Sequence, residues 1–323
     1  MFNRIGDVEV EPLFFKPLFK TCIWGGDSLG NEFGYALPSN NTGESWLISA
    51  HPNGTSTIEN GQYAGFTLGE IWREHPELFG NPKEEFFPLL TKFLDANKDL
   101  SVQVHPDDLY AKKNEDEKFG KTECWYILNC KKDAEIILGH HARTKKELVA
   151  MIEKGKWDKL LRKVKINPGD FFYIPSGTMH ALCEGALVLE IQQSSDTTYR
   201  VYDYNREDEN GNLRELHLKK AMEVVNVPHI SVNNQLSKLV QRNVICTKLV
   251  QSKFFSVFKW EVKGRLAFWC NDQYLLCVIT KGNGSLVHNN NKYKLKKGMS
   301  FMLPINIGEI QLKGNLEVIV FYP

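Results

Sequence analysis

Four side chains of metal-binding type fall on two short alternating segments and one turn. In Ser101-Val102-Gln103-Val104-His105-Pro106 polar and apolar residues alternate, so a strand here directs Ser101, Gln103 and His105 to one face and both valines to the other. If that strand lines a closed interior, an amide and an imidazole point where unpaired polar groups are costly, and a metal ion satisfies both. Lys121-Thr122-Glu123-Cys124-Trp125-Tyr126 puts Glu123 at the head of a second apolar strand, and His180 follows the turn Pro175-Ser176-Gly177-Thr178. Gln103, His105, Glu123 and His180 together offer two nitrogen and two oxygen donors. Borderline-soft Zn²⁺ accepts such a set with a position left open for water or substrate. Any one of them alone reads better as a core histidine or a capped glutamate; the four jointly do not.

Such side chains need strands to aim them, and the chain supplies strands almost throughout. Most of it reads as short β segments punctuated by Gly, Pro and Asn, with helical signal only in patches. Thr67–His75 opens on Thr67-Leu68-Gly69-Glu70, a capping-box sequence, and Thr144–Trp157 sets Leu148, Met151 and Ile152 on one helical face. Asp107 and Asp108 can cap a short helix over Leu109–Lys113. Pro168-Gly169-Asp170-Phe171-Phe172-Tyr173-Ile174-Pro175 and Lys297-Gly298-Met299-Ser300-Phe301-Met302-Leu303-Pro304 share one order, glycine then strand then proline, at one spacing. That order matches half of the cupin signature, so the chain resembles a bicupin: mainly β, two small antiparallel β-barrel or jelly-roll domains in tandem, with a few helices. His180 follows the first proline closely; the matching position after the second is Glu309, with no ligand set beside it, so the second barrel is expected to be metal-free. The expected domains are a catalytic one over residues 1–230, with helical insertions, and a degenerate one over 231–323, joined in the polar stretch Val227–Leu239.

A second, more specific resemblance runs through the first two thirds of the chain. Ile23-Trp24-Gly25-Gly26, Gly43-Glu44-Ser45-Trp46, Phe87-Pro88-Leu89-Leu90, the run from Leu100 through His105 to Asp108, Gly120-Lys121-Thr122-Glu123-Cys124-Trp125-Tyr126, Pro175 to Ala181 and Asp196 to Tyr204 occur in order. In these segments the chain is similar to the type I phosphomannose isomerases, in the short bacterial form without the extra helical domain. The resemblance implies a zinc-dependent aldose–ketose isomerase that interconverts mannose 6-phosphate and fructose 6-phosphate by proton transfer through an enediolate. It implies one Zn²⁺ per chain, with Gln103, His105, Glu123 and His180 as ligands. It also singles out Arg200 as an active-site residue, matches Ser101 and Lys121 to residues near the substrate, and matches Glu190 to an acidic residue on the same cavity.

Strand alternation sets Glu190 and Gln192 on one face, and Thr198, Arg200 and Tyr202 on another. Arg200 could steady the enediolate or grip the phosphate bidentately. Lys121, two residues from Glu123, would share its face and could bind phosphate or act as the base. Glu190 is either a general base or a partner for a histidine or arginine. The catalytic candidates are therefore Arg200, Lys121 and Glu190, and the substrate-binding ones Ser101, Lys121 and Arg200. His140 and His141 are adjacent on a strand and face opposite ways, so both are expected at the surface or in a turn. Gly264, Gly282 and Gly284 are expected as hairpin punctuation, and Trp24, Trp46 and Trp72 as core.

Composition closes off other classes. Forty basic residues against thirty-nine acidic ones, without long charge runs, give no electrostatic argument for nucleic acid or an anionic membrane. No apolar stretch approaches the roughly 20 residues of a membrane helix, and no secretory leader is expected. Seven cysteines without a Cys-x-x-Cys pair argue against both a disulfide framework and a thiolate zinc site, which makes a reducing cytoplasm the expected location. The expected partner is a small phosphorylated sugar. Two other readings stay open: a cupin dioxygenase holding Fe(II) with His105, Glu123 and His180, and a non-catalytic sugar-binding cupin.

Overall fold

A computed structural model describes residues 4–5, 8–207, 210–232 and 236–323. The chain is mainly β and divides into two units. One takes residues 19–45 and 90–233; the other takes residues 1–18, 46–89 and 234–323. Their last division falls within the expected junction Val227–Leu239, of which residues 233–235 lie outside the described residues. Two N-terminal segments join the C-terminal one in a single unit, an interleaving that a sequential split does not carry.

The unit of residues 19–45 and 90–233 holds all the candidate site residues. Its strands are β1 (Leu18–Gly26), β2 (Thr42–His51, whose residues 46–51 belong to the other unit), β3 (Leu89–Ala96), β4 (Val102–Val104), β5 (Glu123–Cys130), β6 (Glu135–His140), β7 (Leu161–Lys165), β8 (Phe171–Ile174), β9 (His180–Leu182), β10 (Ala186–Gln193) and β11 (Tyr199–Tyr202). One sheet follows the order β8-β5-β10-β3-β2-β1, the other β7-β6-β9-β4-β11. Both ladders are open paths, and neither closes into the continuous ring of a hydrogen-bonded barrel.

Period-two alternation builds two layers of core from these strands. One layer is shared by the two sheets and collects Leu94 and Ala96 of β3, Trp125 and Ile127 of β5, Ile136 of β6, Ile174 of β8, Leu182 of β9, and Ala186 and Val188 of β10. The other lies on the opposite face of the β4 sheet: Val102, Val104, Ala181, Tyr199 and Val201 pack with helix residues. Those helices are α1 (Lys145–Glu153), α2 (Trp157–Leu160) and α3 (Leu218–Val224), which contribute Leu148, Leu160 and Ala221. Each of the three fully buried valines contributes roughly 1.5–3 kcal/mol relative to exposure. The helix expected over Thr144–Trp157 is in fact two, broken at Gly155, whose φ of 59° no helix interior adopts. The other helix expectations hold. Leu68–Glu74 carries the full Thr67/Glu70 capping box, and Asp107 caps the helix Asp108–Asn114.

In the other unit the longest pairings are among Ser256–Cys270, Leu275–His288 and Gly308–Tyr322. The glycine–strand–proline repeat recurs there in backbone detail. Gly169 and Gly298 both take positive φ, 97° and 92°, and each N–H donates over 2.8 Å to an isoleucine carbonyl, Ile127 and Ile279. The isoleucine N–H groups in turn donate to Asp170 and Met299 carbonyls, each at 2.9 Å. In this equivalence Glu123, opposite Ile174, corresponds to Leu275, opposite Leu303, and Glu190, opposite Trp125, corresponds to Val320, opposite Cys277. Glu309 is exposed. The three glycines expected as hairpin punctuation lie instead inside long strands: Gly264 and Gly284 both pair with Gly314, and at Gly284 and Gly314 the backbones approach too closely for a side chain.

Candidate metal centre and active site

At one end of the shared core the inward-facing side chains change from apolar to polar along each strand. On β5, Ile127 and Trp125 give way to Glu123; on β10, Val188 gives way to Glu190 and Gln192; on β3, Leu94 gives way to Lys92; on β9, Leu182 gives way to His180. Register brings the rest in. His180 stands opposite Gln103, and Arg200 stands opposite Gln103 from the other side, so the three form a row on one sheet face. His105 follows just past the end of β4, and Ser101 is buried just before its start.

His105, Glu123 and His180 converge, with ligand atoms all within 4.8 Å of one another and each side chain no more than 1% exposed. Each imidazole is tied from behind. His105 Nδ1 lies 2.9 Å from the Thr197 carbonyl oxygen, and His180 Nδ1 lies 2.9 Å from that of Thr178. A carbonyl only accepts, so each Nδ1 carries hydrogen and donates, and in the neutral ring each Nε2 is left with a bare lone pair. Those lone pairs face Glu123: His105 Nε2 stands 3.5 Å from Oε2 and His180 Nε2 stands 3.2 Å from Oε1. Burial, with the Lys121 charge, holds the His105 imidazole well below its ordinary pKa. Burial pushes the Glu123 carboxyl up, but Lys121, His180 and His105 outweigh it and keep the group well below the usual carboxylate range. His105 Nε2 and both Glu123 oxygens are buried without a hydrogen-bond partner. Three acceptors around one dry point are unfavourable unless a cation joins them, and carbonyl-anchored histidines with a carboxylate form the donor set of a zinc or iron site. Gln103 brings its amide to 3.4 Å from His180 Nε2, so the fourth sequence candidate borders the same centre.

The second group of charges centres on Lys92, which sequence analysis passed over. It is 3% exposed, and its Nζ lies 3.3 Å from Glu44, 3.7 Å from Asp196 and 3.9 Å from Glu190. Burial pushes its ammonium pKa down, but Glu44, Glu190 and Asp196 more than reverse this. Glu190 Oε2 accepts the Trp125 indole N–H at 3.0 Å, and burial, reinforced by the Glu123 charge, pushes the carboxyl up. Lys121 Nζ is 3.4 Å from Glu123 Oε2. The signal for Lys92 was present: a lone lysine in the Leu89–Ala96 strand, flanked by Leu89, Leu90, Phe93 and Leu94, must be paired when buried.

A scaffold around Asp108 aims Lys121 and Glu123. The Asp108 Oδ1 accepts both the Gly120 N–H and the Gln193 amide, each at 2.8 Å, while Gln193 Oε1 accepts the Thr122 N–H at 2.9 Å. The Lys121 N–H donates to the Pro106 carbonyl at 3.0 Å. A Cβ on residue 120 would collide with the Asp107 and Asp108 backbone, so only glycine lets the two segments dock. Arg200, half-buried on β11, donates from Nη1 to the Glu215 carbonyl at 2.8 Å. His140 departs from expectation: it is buried, with Nε2 2.9 Å from the Asn226 carbonyl, because that carbonyl needs a donor at the end of β6. His141 is exposed, and neither reaches the metal centre. Trp24, Trp46 and Trp72 are buried, as expected of core residues.

Comparison with known proteins gives the same residues a family context. The model of the phosphomannose isomerase type I catalytic domain matches residues 13–136, and that of the mannose-6-phosphate isomerase cupin domain matches residues 245–323. The chain is 53% identical to the probable mannose-6-phosphate isomerase GmuF of Bacillus subtilis (strain 168) over 312 residues, 97% of this chain and 99% of that one. It is also 53% identical to the mannose-6-phosphate isomerase ManA of the same organism over 313 residues, with the same coverage. A crystal structure of the mannose 6-phosphate isomerase from Bacillus subtilis superimposes with a TM-score of 0.95 at 51% identity, covering 97% of this chain and 99% of that one.

Proposed function

The chain belongs to the type I phosphomannose isomerases, and on that footing we propose that it interconverts mannose 6-phosphate and fructose 6-phosphate using one Zn²⁺ held by Gln103, His105, Glu123 and His180. The observation that carries the metal assignment is the convergence of two carbonyl-anchored imidazoles and a carboxylate whose facing atoms are all acceptors. When bound, the ion supplies Lewis-acid polarisation and stabilises negative charge on adjacent sugar oxygens. We read the glycine–strand–proline repeat as two copies of a cupin barrel, of which the second carries Leu275 in place of the ligand Glu123 and Val320 in place of Glu190. The free cysteines fit a reducing cytoplasm.

Isomerisation moves a proton between C2 and C1 of the open-chain sugar through an enediolate, so it needs a proton carrier and a cation near the developing oxyanion. Two groups are poised as the carrier. Glu190 is kept basic by burial and is oriented by the Trp125 indole, while Lys121 is held beside Glu123 through the Asp108–Gln193 scaffold. Arg200, in the same row as Gln103, supplies fixed positive charge with an unused, buried Nε–H. Ser101 shares the Gln103 face and suits a sugar hydroxyl. The test is a coupled assay on mannose 6-phosphate with glucose 6-phosphate as control, on protein analysed for metal without metal addition. Activity removed by chelator and restored by Zn²⁺ but not by Fe²⁺ is expected; restoration by Fe²⁺ alone would overturn the zinc assignment.

A further inference from the structure

Two guanidinium groups, those of Arg206 and Arg214, bind one buried carboxylate, Asp203, which follows the strand that carries Arg200. Resting on the isomerase reading, we infer that Arg214, fixed in place by Asp203, grips the phosphate of the sugar together with Arg200.

The geometry assigns each arginine a different job. Arg206 is used up structurally: Nη2 donates to Asp203 Oδ1 at 2.5 Å and Nη1 to the Asp99 carbonyl at 2.6 Å. Arg214 binds Asp203 as a fork, Nε to Oδ2 at 2.7 Å and Nη2 to Oδ1 at 2.6 Å, on a side chain 24% exposed; the fork does not use Nη1. Arg200 is engaged through Nη1 by the Glu215 carbonyl, while its Nε is buried and unpartnered. The segment that carries Arg214 is fastened a second time beside Arg200, whose N–H donates to His217 Nδ1 at 3.2 Å and whose carbonyl accepts the His217 N–H at 2.8 Å.

Charge and position agree on the ligand. Three cations against Asp203 and the exposed Glu215 leave net positive charge, which suits a phosphate monoester. Arg200 lies on the Gln103 face of its sheet. Arg214 is within electrostatic reach of Arg200, and also of Cys22, beside which Lys92 and Glu44 act. The fork on Asp203 and the pairing of His217 with Arg200 hold the Arg214 segment beside the strand that carries Arg200. A planar fork already oriented by a carboxylate binds phosphate with little further ordering.

The experiment compares the zinc-loaded parent with Arg214→Gln and Arg214→Lys. Calorimetry with inorganic phosphate is read first, then KM for mannose 6-phosphate and the inhibition constant of inorganic phosphate. Loss of one charge-assisted contact is expected to weaken phosphate binding and raise KM roughly ten- to a hundredfold in Arg214→Gln, with kcat changed less. Arg214→Lys is expected to recover part of this, since it keeps the charge but not the fork. If Arg214→Gln retains metal content and circular dichroism and its phosphate constants stay within twofold of the parent, the inference fails. If Arg214→Gln does not fold, the same twofold criterion applied to Arg214→Lys decides. A parent that binds phosphate but does not isomerise would sink the isomerase reading and leave the Arg214 assignment standing.

Discussion

Replacing Lys92 with methionine isolates the electrostatics of the cavity. The substitution keeps the buried stem and removes an ammonium that faces Glu44, Glu190 and Asp196. The three losses are unequal. The Glu44 and Asp196 side chains are 20% and 37% exposed and can turn to water, so each of those pairs is worth at most about 1 kcal/mol. The Glu190 side chain is 4% exposed and cannot relax; at 3.9 Å and an effective dielectric of ~20 its attraction to Lys92 is about 4 kcal/mol. Left with only the Lys121 charge and the Trp125 indole, that carboxylate is expected to lower stability by about 3 kcal/mol in urea denaturation at pH 8, the lower end of the range for a broken buried pair. Glu190→Gln alone is expected to cost far less, because the amide oxygen still accepts from Trp125 and Lys92 keeps two other partners. The double variant is then expected to recover at least 2 kcal/mol of the Lys92→Met loss.

The same cost has a definite pH dependence. Burial and the Glu123 charge already raise the Glu190 carboxyl in the parent, and removing Lys92 raises it further. A carboxyl with a folded pKa above its unfolded value binds its proton more tightly when folded. The Lys92→Met deficit is therefore absent below the unfolded value of about 4.3 and grows as pH rises through the folded value. Additive single-variant losses, or a deficit that shrinks toward alkaline pH, would refute the claim that Glu190 is the stranded partner.

Three further outcomes are expected. His105→Ala and His180→Ala should each lose the metal and the activity while staying folded, as read by elemental analysis and circular dichroism; parental turnover in either would remove that residue from the ligand set. Arg200→Ala should keep the metal and lose roughly 10²–10³-fold in kcat, the scale for removing an oxyanion donor, whereas a raised KM at unchanged kcat would limit it to substrate binding. Gly120→Ala should destabilise by about 1–3 kcal/mol and lower activity as well, because its Cβ displaces the segment that carries Lys121 from Asp107 and Asp108; a thermal shift without loss of turnover would separate that docking from Lys121.

Alternation made the candidate metal residues legible. Gln103 and His105 stand two apart beside a strand, and a one-residue slip would have buried them among the valines against Leu148 and Ala221 instead. The repeat was legible for a similar reason, since glycine at positive φ and a following strand leave a fixed spacing in any sequence. What escaped was set by tertiary pairing. Lys92 shows in sequence only as an interruption of an apolar strand, and its three acidic partners come from β2, β10 and the chain just beyond β10. The Asp203 clamp joins two arginines with an aspartate eleven residues before Arg214, across a connection that has no period to read. His140 followed the alternation rule yet was misplaced, because burial there depends on the Asn226 carbonyl far along the chain.

One arrangement ties the stability of this unit to its chemistry. Along β3, β5, β9 and β10 the same inward register carries apolar residues at one end and Lys92, Glu123, His180 and Glu190 at the other. The apolar end supplies burial energy of the order of 25 cal/mol per Å², enough to hold strands whose polar ends would not pair unaided. Because both ends share one register, no strand can slip to hydrate its charges without moving Leu94, Ile127, Leu182 or Val188 out of the core. The acceptors of His105, Glu123 and His180 are thus kept close by packing well away from them, and the strain of that confrontation is what a bound cation relieves. Cavity-forming changes in the apolar end, such as Val188→Ala, should therefore weaken metal affinity as well as stability, although Val188 touches no ligand. Weakened folding with unchanged metal affinity would break the link between core and site.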